Sequence, residues 1–385
     1  MTASMTQLPS THIASYSERH GPPTAPLPIF QRQLAVGSFG VVYLAVLDGA
    51  PVAVKVYSKP SSDSSHEVAI LSALIARPHP NVVRFVGSYE GESSQLITVM
   101  ELMPCSLAQL LEKAPPRSRL SSEKVRLFAY QLARALAHVH GMGITHRDVK
   151  PGNILVDPPT GLLKLADFGN AARLRVGDRR VARITSHFYC APELIFDDAG
   201  CGTKIDMWSF GCIFGELSAS RRKPLFMGHG LSDQLAAIVK ARGTPTPEML
   251  RELAPEASTV QFVPRQPKTW SSLLGSSEPI AYPVQSLLSR LLAWAPSQRP
   301  TAMEVLTSEY FDSFRVQAVA SGLDSRLLDL FEFTPTELEH LPPHLSLLLH
   351  GEASPPRSGG KRFTLPSVCE DSLAELAHST GYVNE

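Results

Sequence analysis

The sequence predicts an α+β fold with a small β-rich part followed by a larger, mainly helical part. Four short runs of β-branched and apolar residues come first, and their composition is typical of strands. A stretch with apolar residues at helical spacing interrupts them at 66–76, and helical periodicity dominates after Pro104. The two parts therefore meet near residues 101–104. The strand-like runs are 41–44, 52–56, 82–85 and 96–100.

The helical part opens with a helix whose start is marked by Ser121. A serine here can accept a hydrogen bond from a first-turn amide, and Glu123 suits the positive end of the helix dipole. The apolar residues that follow recur at helical spacing, which predicts one buried face. They are Val125, Phe128, Leu132, Leu136 and Val139. Two further helical segments are predicted at 204–217 and 286–294.

Composition limits the class of protein. The 385 residues allow two or three domains, and a hydrophobic fraction of 43% is enough to build a core. The formal net charge of zero gives no overall attraction to nucleic acid or anionic lipid. No stretch approaches about 18 apolar residues and the amino terminus has no apolar targeting core, so we expect neither secretion nor a membrane span.

The five cysteines lie far apart in the sequence, with no Cys-x-x-Cys pair and no histidine spacing typical of a zinc site. Such usage suits a reducing compartment. We therefore expect a cytoplasmic location, and the nucleus is compatible with the same evidence.

Three short motifs follow one another in the helical part. They are HRDVKPGN at 146–153, DFG at 167–169 and APE at 191–193. DFG alone would be weak evidence, because any apolar strand that ends in a turn could contain it. All three in this order, within about fifty residues, are typical of the catalytic loop, metal-binding loop and activation segment of protein kinases. The chain therefore resembles a eukaryotic-type protein kinase.

This resemblance implies the bilobal protein-kinase fold, with a small β-rich lobe and a larger, mainly helical lobe. The predicted tails are rich in Ser, Thr, Pro or Gly, which is typical of flexible segments. The expected organisation is a flexible tail at 1–29, the small lobe at 30–103, the large lobe at 104–315, an extension packed on the large lobe at 316–345 and a second flexible tail at 346–385.

A glycine-rich segment, GSFGVV at 37–42, lies between two strand-like runs. By itself it is compatible with an ordinary tight hairpin. The resemblance implies that it covers the phosphates of ATP, since glycines let the backbone approach phosphate oxygens. Ala35 replaces the first glycine of the usual pattern. The ATP contacts implied by the resemblance are Leu34, Gly37, Ser38, Phe39, Gly40, Val42, Ala53, Lys55, Met100, Glu101, Met103, Leu155 and Asp167.

Lys55 ends a VAVK run and can reach the α- and β-phosphates. Glu67, on the following helix, is the best-placed carboxylate to hold it. Two solvated surface charges are the plain alternative, and the order of the motifs favours the ion pair. Around the adenine ring, Met100 would line the back of the pocket. The backbone of 101–103 would contact the ring, with Leu155 beneath it.

Phosphoryl transfer depends on positioning and on neutralisation of phosphate charge. Asp148 is the candidate base for the substrate hydroxyl, and Lys150 can stabilise the migrating phosphate. Asn153 and Asp167 offer the oxygen ligands that Mg²⁺ prefers. By resemblance, Lys150 indicates serine or threonine rather than tyrosine as the acceptor. Every charged group that the reaction requires is present.

Further segments resemble the glycogen synthase kinase 3 family, within the group that contains cyclin-dependent and MAP kinases. The resemblance extends from about residue 30 to residue 341 and implies that Glu193 pairs with Arg299 and that Asp206 holds the catalytic-loop backbone. The segments are CAPELIF at 190–196, DMWS at 206–209, DQLAAI at 233–238, GTPTP at 243–247, and FEFT at 331–334 followed by EL at 337–338.

The activation segment departs from this family. Arg183 stands where the family has a phosphorylatable tyrosine, and no Ser, Thr or Tyr occurs between Asn170 and Ile184. Five arginines occur there instead, and a solvated basic loop is one interpretation of them. Our hypothesis is that the segment needs no tyrosine phosphorylation and attracts acidic or phosphorylated substrates. The arginines are Arg173, Arg175, Arg179, Arg180 and Arg183.

The residues that bind a substrate phosphate in the family are only partly matched. Arg147 matches one of three basic positions, whereas His66 and Ala172 occupy the other two. Histidine carries a full charge only part of the time near neutral pH. We predict a substrate-phosphate site at Arg147, Arg173 and Arg183, with weaker binding than in the family. Cys190 replaces an arginine before APE, which leaves the preference for a following proline open.

Two functions from different classes fit these residues. The first is a Mg²⁺- and ATP-dependent Ser/Thr kinase that acts, as a monomer, on protein substrates with acidic or pre-phosphorylated segments. The second is a catalytically weak or inactive kinase-fold scaffold, which the substitutions at regulatory positions would favour. We expect no membrane or nucleic-acid partner, because no aromatic residues accompany the arginine-rich loop. Members of the family bind helices of scaffold proteins at the stretch that matches 251–270. We do not assume such binding here, since Ala257 replaces the family's aromatic residue.

Overall fold

The computed structural model describes most of the chain between residues 27 and 338. Its residues form two compact units. The first consists of the chain up to Pro104 together with Asp167–Gly169, and the second of Cys105–Ala166 and the chain from Asn170 onwards. The described ranges are 27–37, 40–58, 62–91, 95–115, 119–173, 187–196, 202–220, 222–254, 260–315 and 329–338, with the backbone alone at 62–66 and 335.

Several predictions concern residues outside these ranges. Nearly all of the predicted amino-terminal tail and the whole of the predicted carboxy-terminal tail lie outside them, so both tails stay predictions. The same holds for Ser38, Phe39 and the arginines from 174 to 186, Arg183 among them.

The first unit contains a five-stranded antiparallel sheet in the order β1-β2-β3-β5-β4. One face of this sheet forms a core of four buried residues, Ala45, Val52, Val54 and Val99. Because strand side chains alternate between the two faces, the residues between them point to the opposite face. The elements are β1 (Ile29–Val36), β2 (Gly40–Leu47), β3 (Ala50–Tyr57), α1 (Ser62–Ala76), β4 (Phe85–Glu90) and β5 (Leu96–Glu101).

One predicted strand was placed too early. The run 82–85 was expected to be extended, but β4 begins only at Phe85. The amide of Val82 donates to the carbonyl of His79 at 3.1 Å, so a turn occupies the backbone that a strand would need. Val82 is 4% exposed. It forms one isolated β-bridge rather than part of a strand, and its β-branched side chain suits this buried position.

The second unit is mainly helical and contains a three-stranded sheet, β6-β8-β9, and a two-stranded ribbon, β10-β7. Its strands are β6 (Cys105–Ser106), β7 (Ile144–Thr145), β8 (Ile154–Asp157), β9 (Leu162–Leu165) and β10 (Ala172–Arg173). Its helices are α2 (Leu107–Lys113), α3 (Ser122–Gly141), α4 (Pro192–Ile195), α5 (Lys204–Ser218), α6 (Leu231–Arg242), α7 (Pro247–Leu253), α8 (Trp270–Leu274), α9 (Tyr282–Leu291), α10 (Ala302–Leu306) and α11 (Pro335–Leu338).

The start of α3 is as predicted. The Ser121 side chain accepts a hydrogen bond from the amide of Lys124, and all five predicted core residues of the helix are buried. The segment predicted at 204–217 corresponds to α5. The segment predicted at 286–294 was wrong at both ends, because α9 runs from Tyr282 to Leu291. The chain leaves the helix in a three-residue turn, in which the amide of Ala293 donates to the carbonyl of Arg290 at 3.4 Å, and Ala295 is extended before Pro296.

Two buried ion pairs connect distant parts of the second unit. Arg299 contacts both carboxylate oxygens of Glu193, at 2.5 and 2.8 Å, which confirms the predicted pair. Arg134 on α3 contacts both oxygens of Glu337 on α11, each at 2.8 Å, and the two side chains are fully buried. The second pair fixes the segment that was expected to extend the large lobe. In the part of the chain that the structure describes, no helix is long and apolar enough to cross a membrane.

Candidate active site

The centre of the site in the first unit is the side chain of Lys55. Its Nζ lies 3.1 and 3.0 Å from the two carboxylate oxygens of Glu67 and 2.9 Å from Oδ1 of Asp167. The side chains of Lys55 and Glu67 are only 8% and 2% exposed. The predicted ion pair is therefore confirmed, and the alternative of two solvated surface charges is excluded.

Tyr57 completes this cluster and was missed in the sequence analysis. Its hydroxyl donates to Oε2 of Glu67, and the Lys55 ammonium lies 4.8 Å from the centre of its ring. Residues two apart on a strand share a face, so β3 places Lys55 and Tyr57 side by side. That spacing is the signal that could have revealed Tyr57.

Burial and charge act in opposite directions on these groups. Burial works against the charge of Lys55, but the carboxylates of Asp167 and Glu67 outweigh it and raise the pKa of Lys55. Burial raises the pKa of Glu67, and Lys55 and the Tyr57 hydrogen bond act against that shift. Because several contacts depend on one another, removing any one of these groups should disturb the others.

The backbone of the DFG motif is fixed in an unusual conformation. Asp167 has a φ of 61°, which non-glycine residues rarely adopt. A Cβ at Gly169 would lie 3.1 Å from Oε2 of Glu67 and 3.4 Å from Nζ of Lys55. Phe168, between them, is fully buried. The motif therefore presents the Asp167 carboxylate while leaving room for the charged cluster.

The face of the sheet that carries Lys55 also carries the predicted adenine contacts of the first unit. Val42 pairs with Lys55, and Ala53 pairs with Met100, so these four side chains share one face. The amide of Glu101 donates to the carbonyl of Arg84 at 3.0 Å. Leu34 lies at an irregularity of β1, between Gln33 and Ala35. Both Leu34 and Met103 are half-buried.

The two glycines of the glycine-rich segment have different roles. A Cβ at Gly40 would lie 2.1 Å from the carbonyl oxygen of Val56, so strand packing requires this glycine. At Gly37 the nearest atom of the described residues would be 3.7 Å away. Packing against β3 thus gives Gly40 a structural role, and the phosphate contacts of both glycines stay predictions. The amide of Gly37 donates to the carbonyl of Gly40 at 2.8 Å, which closes the turn.

The second unit holds the catalytic-loop residues together. Oδ2 of Asp148 accepts hydrogen bonds from Nζ of Lys150 at 2.8 Å, from Nδ2 of Asn153 at 3.0 Å and from Nδ2 of Asn170 at 3.4 Å. Asp148 is 7% exposed. The structure thus brings together Asp148, Lys150 and Asn153 as predicted. Asn170, directly after DFG, was missed. Leu155 lies in β8 of this unit and is half-buried.

Asp206 holds the backbone of the catalytic loop. Its carboxylate accepts the amides of His146 and Arg147, both at 2.8 Å, and contacts Nε2 of His140 at 2.8 Å. Burial alone would raise the pKa of Asp206, but these contacts lower it. Arg147 has a φ of 68°, and the amide bonds support this strained residue. The predicted role of Asp206 is confirmed.

The predicted substrate-phosphate residues are only partly described. Arg173 is exposed at the end of β10 and pairs with Ile144 of β7. Ile144 lies three residues before Arg147 in the sequence. Arg147 is half-buried. Arg183 and the side chain of His66 lie outside the described residues. The arrangement of this site stays a prediction.

Comparison with known proteins agrees with this geometry. The protein kinase domain family matches residues 29–311. The chain is also 35% identical over 322 residues to "Protein kinase gsk3" of Schizosaccharomyces pombe, which covers 80% of this chain and 81% of that protein. The predicted bilobal α+β fold is thereby confirmed, and the chain belongs to the protein kinase family as a serine/threonine kinase similar to glycogen synthase kinase 3.

Proposed function

We propose that this protein transfers the γ-phosphate of ATP to serine and threonine hydroxyls of protein substrates, with Mg²⁺ as the cation. The observation that supports this most directly is the position of Lys55, buried between Glu67 and Asp167. Carboxylates on two sides keep the Lys55 ammonium charged and fix the orientation of its side chain. Active protein kinases require this lysine–glutamate pair.

In the first unit, ATP would lie against the face of the sheet that carries Lys55. Lys55 would contact its α- and β-phosphates, and Val42, Ala53 and Met100 would contact the adenine ring. These contacts suit ATP, because the same face combines apolar side chains with a buried cation. Protein kinases use ATP in general, and the residues of this face are compatible with it.

The donor set fits Mg²⁺. Nδ2 of Asn153 donates to the carbonyl of Asp148 at 2.9 Å and to its Oδ2 at 3.0 Å, so the side-chain oxygen is the atom left for a cation. The side chain of Asp167 is 37% exposed and offers carboxylate oxygens. Such hard oxygen ligands are those that Mg²⁺ prefers. When bound, the cation would neutralise charge that develops on the transferred phosphate.

The catalytic loop would position the substrate hydroxyl. Three donors fix Oδ2 of Asp148, so the carboxylate has one orientation from which it can accept the hydroxyl proton. Lys150, 2.8 Å from the same oxygen, would stabilise the charge of the moving phosphoryl group. Such fixed groups need little rearrangement during the reaction.

The choice of substrate is a separate part of the proposal. Arg147 and Arg173, with the arginines of 175–183, would attract acidic or pre-phosphorylated segments. Because Ala172 contributes no charge, priming by phosphate would be weaker than in the family. We further propose that the protein acts as a monomer, in the cytoplasm or nucleus.

The test is phosphorylation of matched primed and unprimed Ser/Thr peptides by the wild type and by Asp167→Ala, with ATP binding measured in parallel. Activity that is lost in the variant and strongest on primed peptides would support both parts of the proposal. Activity without a preference for primed peptides would support transfer and overturn the substrate part. A wild type that binds no ATP and phosphorylates neither set would overturn the proposal in favour of a scaffold.

A further inference from the structure

A cavity of about 550 Å³ lies in the second unit, and none of the candidate active-site residues line it. Its wall combines the end of α6, the segment 264–267 and residues around Trp294. Its described lining residues include two arginines, Arg242 and Arg265, and no aspartate or glutamate. The cavity is therefore positively charged.

Close packing and hydrogen bonds fix the backbone around the cavity. Gly243, which ends α6, has a φ of 79°, and a Cβ there would lie 2.9 Å from the backbone nitrogen of Pro267. The amide of Thr244 donates to the carbonyl of Arg265 at 3.0 Å, and the Arg265 amide donates to Oγ1 of Thr244 at 2.9 Å. These reciprocal bonds fix the segment that carries Arg265 beside the helix end that carries Arg242.

Arg242 is a half-buried cation that forms no salt bridge with any residue that the structure describes. Its Nε donates to the carbonyl of Leu292 at 3.1 Å, and its guanidinium lies 4.8 Å from the centre of the Trp270 ring. Among the described residues, no carboxylate pairs with it, and burial lowers its pKa. A cation withdrawn from water without a partner is unfavourable. Arg242 also suits the negative end of the α6 dipole, but that explains neither the cavity nor Arg265.

The carboxylates of the neighbouring helix α7 have other partners. Glu248 pairs with Arg251 at 2.9 Å. Glu252 accepts the amide of Ser297 at 2.7 Å and its hydroxyl at 3.0 Å. Neither residue lines the cavity. Among the residues that the structure describes, no carboxylate is thus placed to balance Arg242, and an anionic ligand in the cavity could do so.

We propose that this cavity binds a phosphate monoester, free or on a peptide, through Arg242 and Arg265. A phosphate monoester carries a charge of about −1.5 to −2 near neutral pH, which matches two guanidinium groups better than a single carboxylate does. The planar guanidinium also suits phosphate oxygens. The cavity is larger than one phosphate, and Met249 and Trp294 in its lining can contact an apolar part of the ligand.

Tryptophan fluorescence can report this binding, because Trp294 lines the cavity, Trp270 contacts Arg242, and the chain has only three tryptophans. The full chain would be titrated with inorganic phosphate, a phosphoserine peptide, and the same peptide with serine or glutamate, at constant ionic strength. The variants are Arg265→Gln and Arg242→Gln. Arg251→Gln, on α7 and outside the lining, is the matched control.

We expect saturable binding of phosphate or the phosphoserine peptide, weakened about tenfold or more by Arg265→Gln and unchanged by Arg251→Gln. Arg265 is exposed and its segment is held by backbone hydrogen bonds, so Arg265→Gln should fold even if Arg242→Gln does not. Tighter binding of the phosphopeptide than of inorganic phosphate would identify a peptide as the source, and the reverse would identify free phosphate. Binding that survives both cavity variants, no binding at all, or equal binding of the glutamate peptide would overturn the proposal.

Discussion

The hydroxyl of Tyr57 donates a hydrogen bond to the carboxylate of Glu67, the same group that holds Lys55. Helix α1, which carries Glu67, is thus attached to β3 at two neighbouring side chains rather than one. Since Glu67 is 2% exposed, its carboxylate depends on these donors for the hydrogen bonds that water would otherwise supply.

Tyr57→Phe should weaken the hold on Glu67 while keeping the ring beneath Lys55. We expect kcat/KM for ATP to fall about tenfold, because a hydrogen bond to a buried charged group contributes ~1.5–3 kcal/mol. Steady-state kinetics would measure this, with Tyr43→Phe on the neighbouring strand as the control. In a Glu67→Gln background the tyrosine change should add little to the loss of ATP affinity. A full additional loss there would show that Tyr57 does not act through Glu67.

Gly40→Ala and Gly37→Ala should differ in their effect on folding. A methyl group at Gly40 would collide with the carbonyl of Val56, so we expect a loss of ~1–3 kcal/mol in the free energy of unfolding. Position 37 has room for the methyl group among the described residues, so Gly37→Ala should keep the free energy of unfolding of the wild type. Urea denaturation of both variants would test this. Equal stabilities would contradict the assignment of Gly40 to strand packing.

Stability should decrease as the pH rises toward neutrality because of Glu216. Burial raises the pKa of Glu216 to about 7, while Tyr189 donates to it at 2.7 Å. Between its ordinary value near 4.5 and about 7, the unfolded chain loses this proton and the folded chain keeps it. The free energy of unfolding therefore falls across that window, by at most ~3 kcal/mol.

Glu216→Gln should remove this dependence, since glutamine stays neutral and can still accept the Tyr189 hydrogen bond. Urea denaturation at a series of pH values would show the variant to be the more stable protein above neutrality. If wild type and variant keep parallel pH profiles, Glu216 is not the group responsible.

Arg134→Met and Glu337→Gln should each destabilise the second unit. Removing one partner leaves the other polar group buried without its pair, which costs ~3–5 kcal/mol when a charge remains. The double variant Arg134→Met with Glu337→Leu should recover part of that loss, because both charges are gone. Thermal and urea unfolding of the three variants would measure the change in the free energy of unfolding. A double variant as unstable as the sum of the single ones would argue against direct coupling.

The parts of the site that follow from local spacing were predictable from the sequence. Asp148, Lys150 and Asn153 lie within six positions of one another, so one loop brings them together. The pair of Lys55 and Glu67 could be predicted because Lys55 ends a strand, Glu67 lies on the next helix, and protein kinases have this order. Strand alternation and the Ser121 cap are likewise properties of neighbouring residues.

What could not be predicted depends on contacts between distant segments. The pairing of Arg134 with Glu337 joins two residues that lie 203 positions apart in the sequence. The need for glycine at position 40 arises from the approach of Val56, on another strand. The charge of Arg242 is unusual only because of the cavity around it, which no spacing rule indicates. In each case the sequence supplies the residue, and tertiary packing supplies its partner.

The attachment of α11 to α3 also sets where the chain can be shortened. The family match ends at residue 311, whereas Glu337 lies well beyond it. A protein trimmed to the family match would leave the Arg134 guanidinium buried beside an empty groove. It would also uncover Gly141, whose missing side chain makes room for the Thr336 carbonyl. The smallest piece able to fold by itself should therefore extend to residue 338, past the end of the protein kinase domain match.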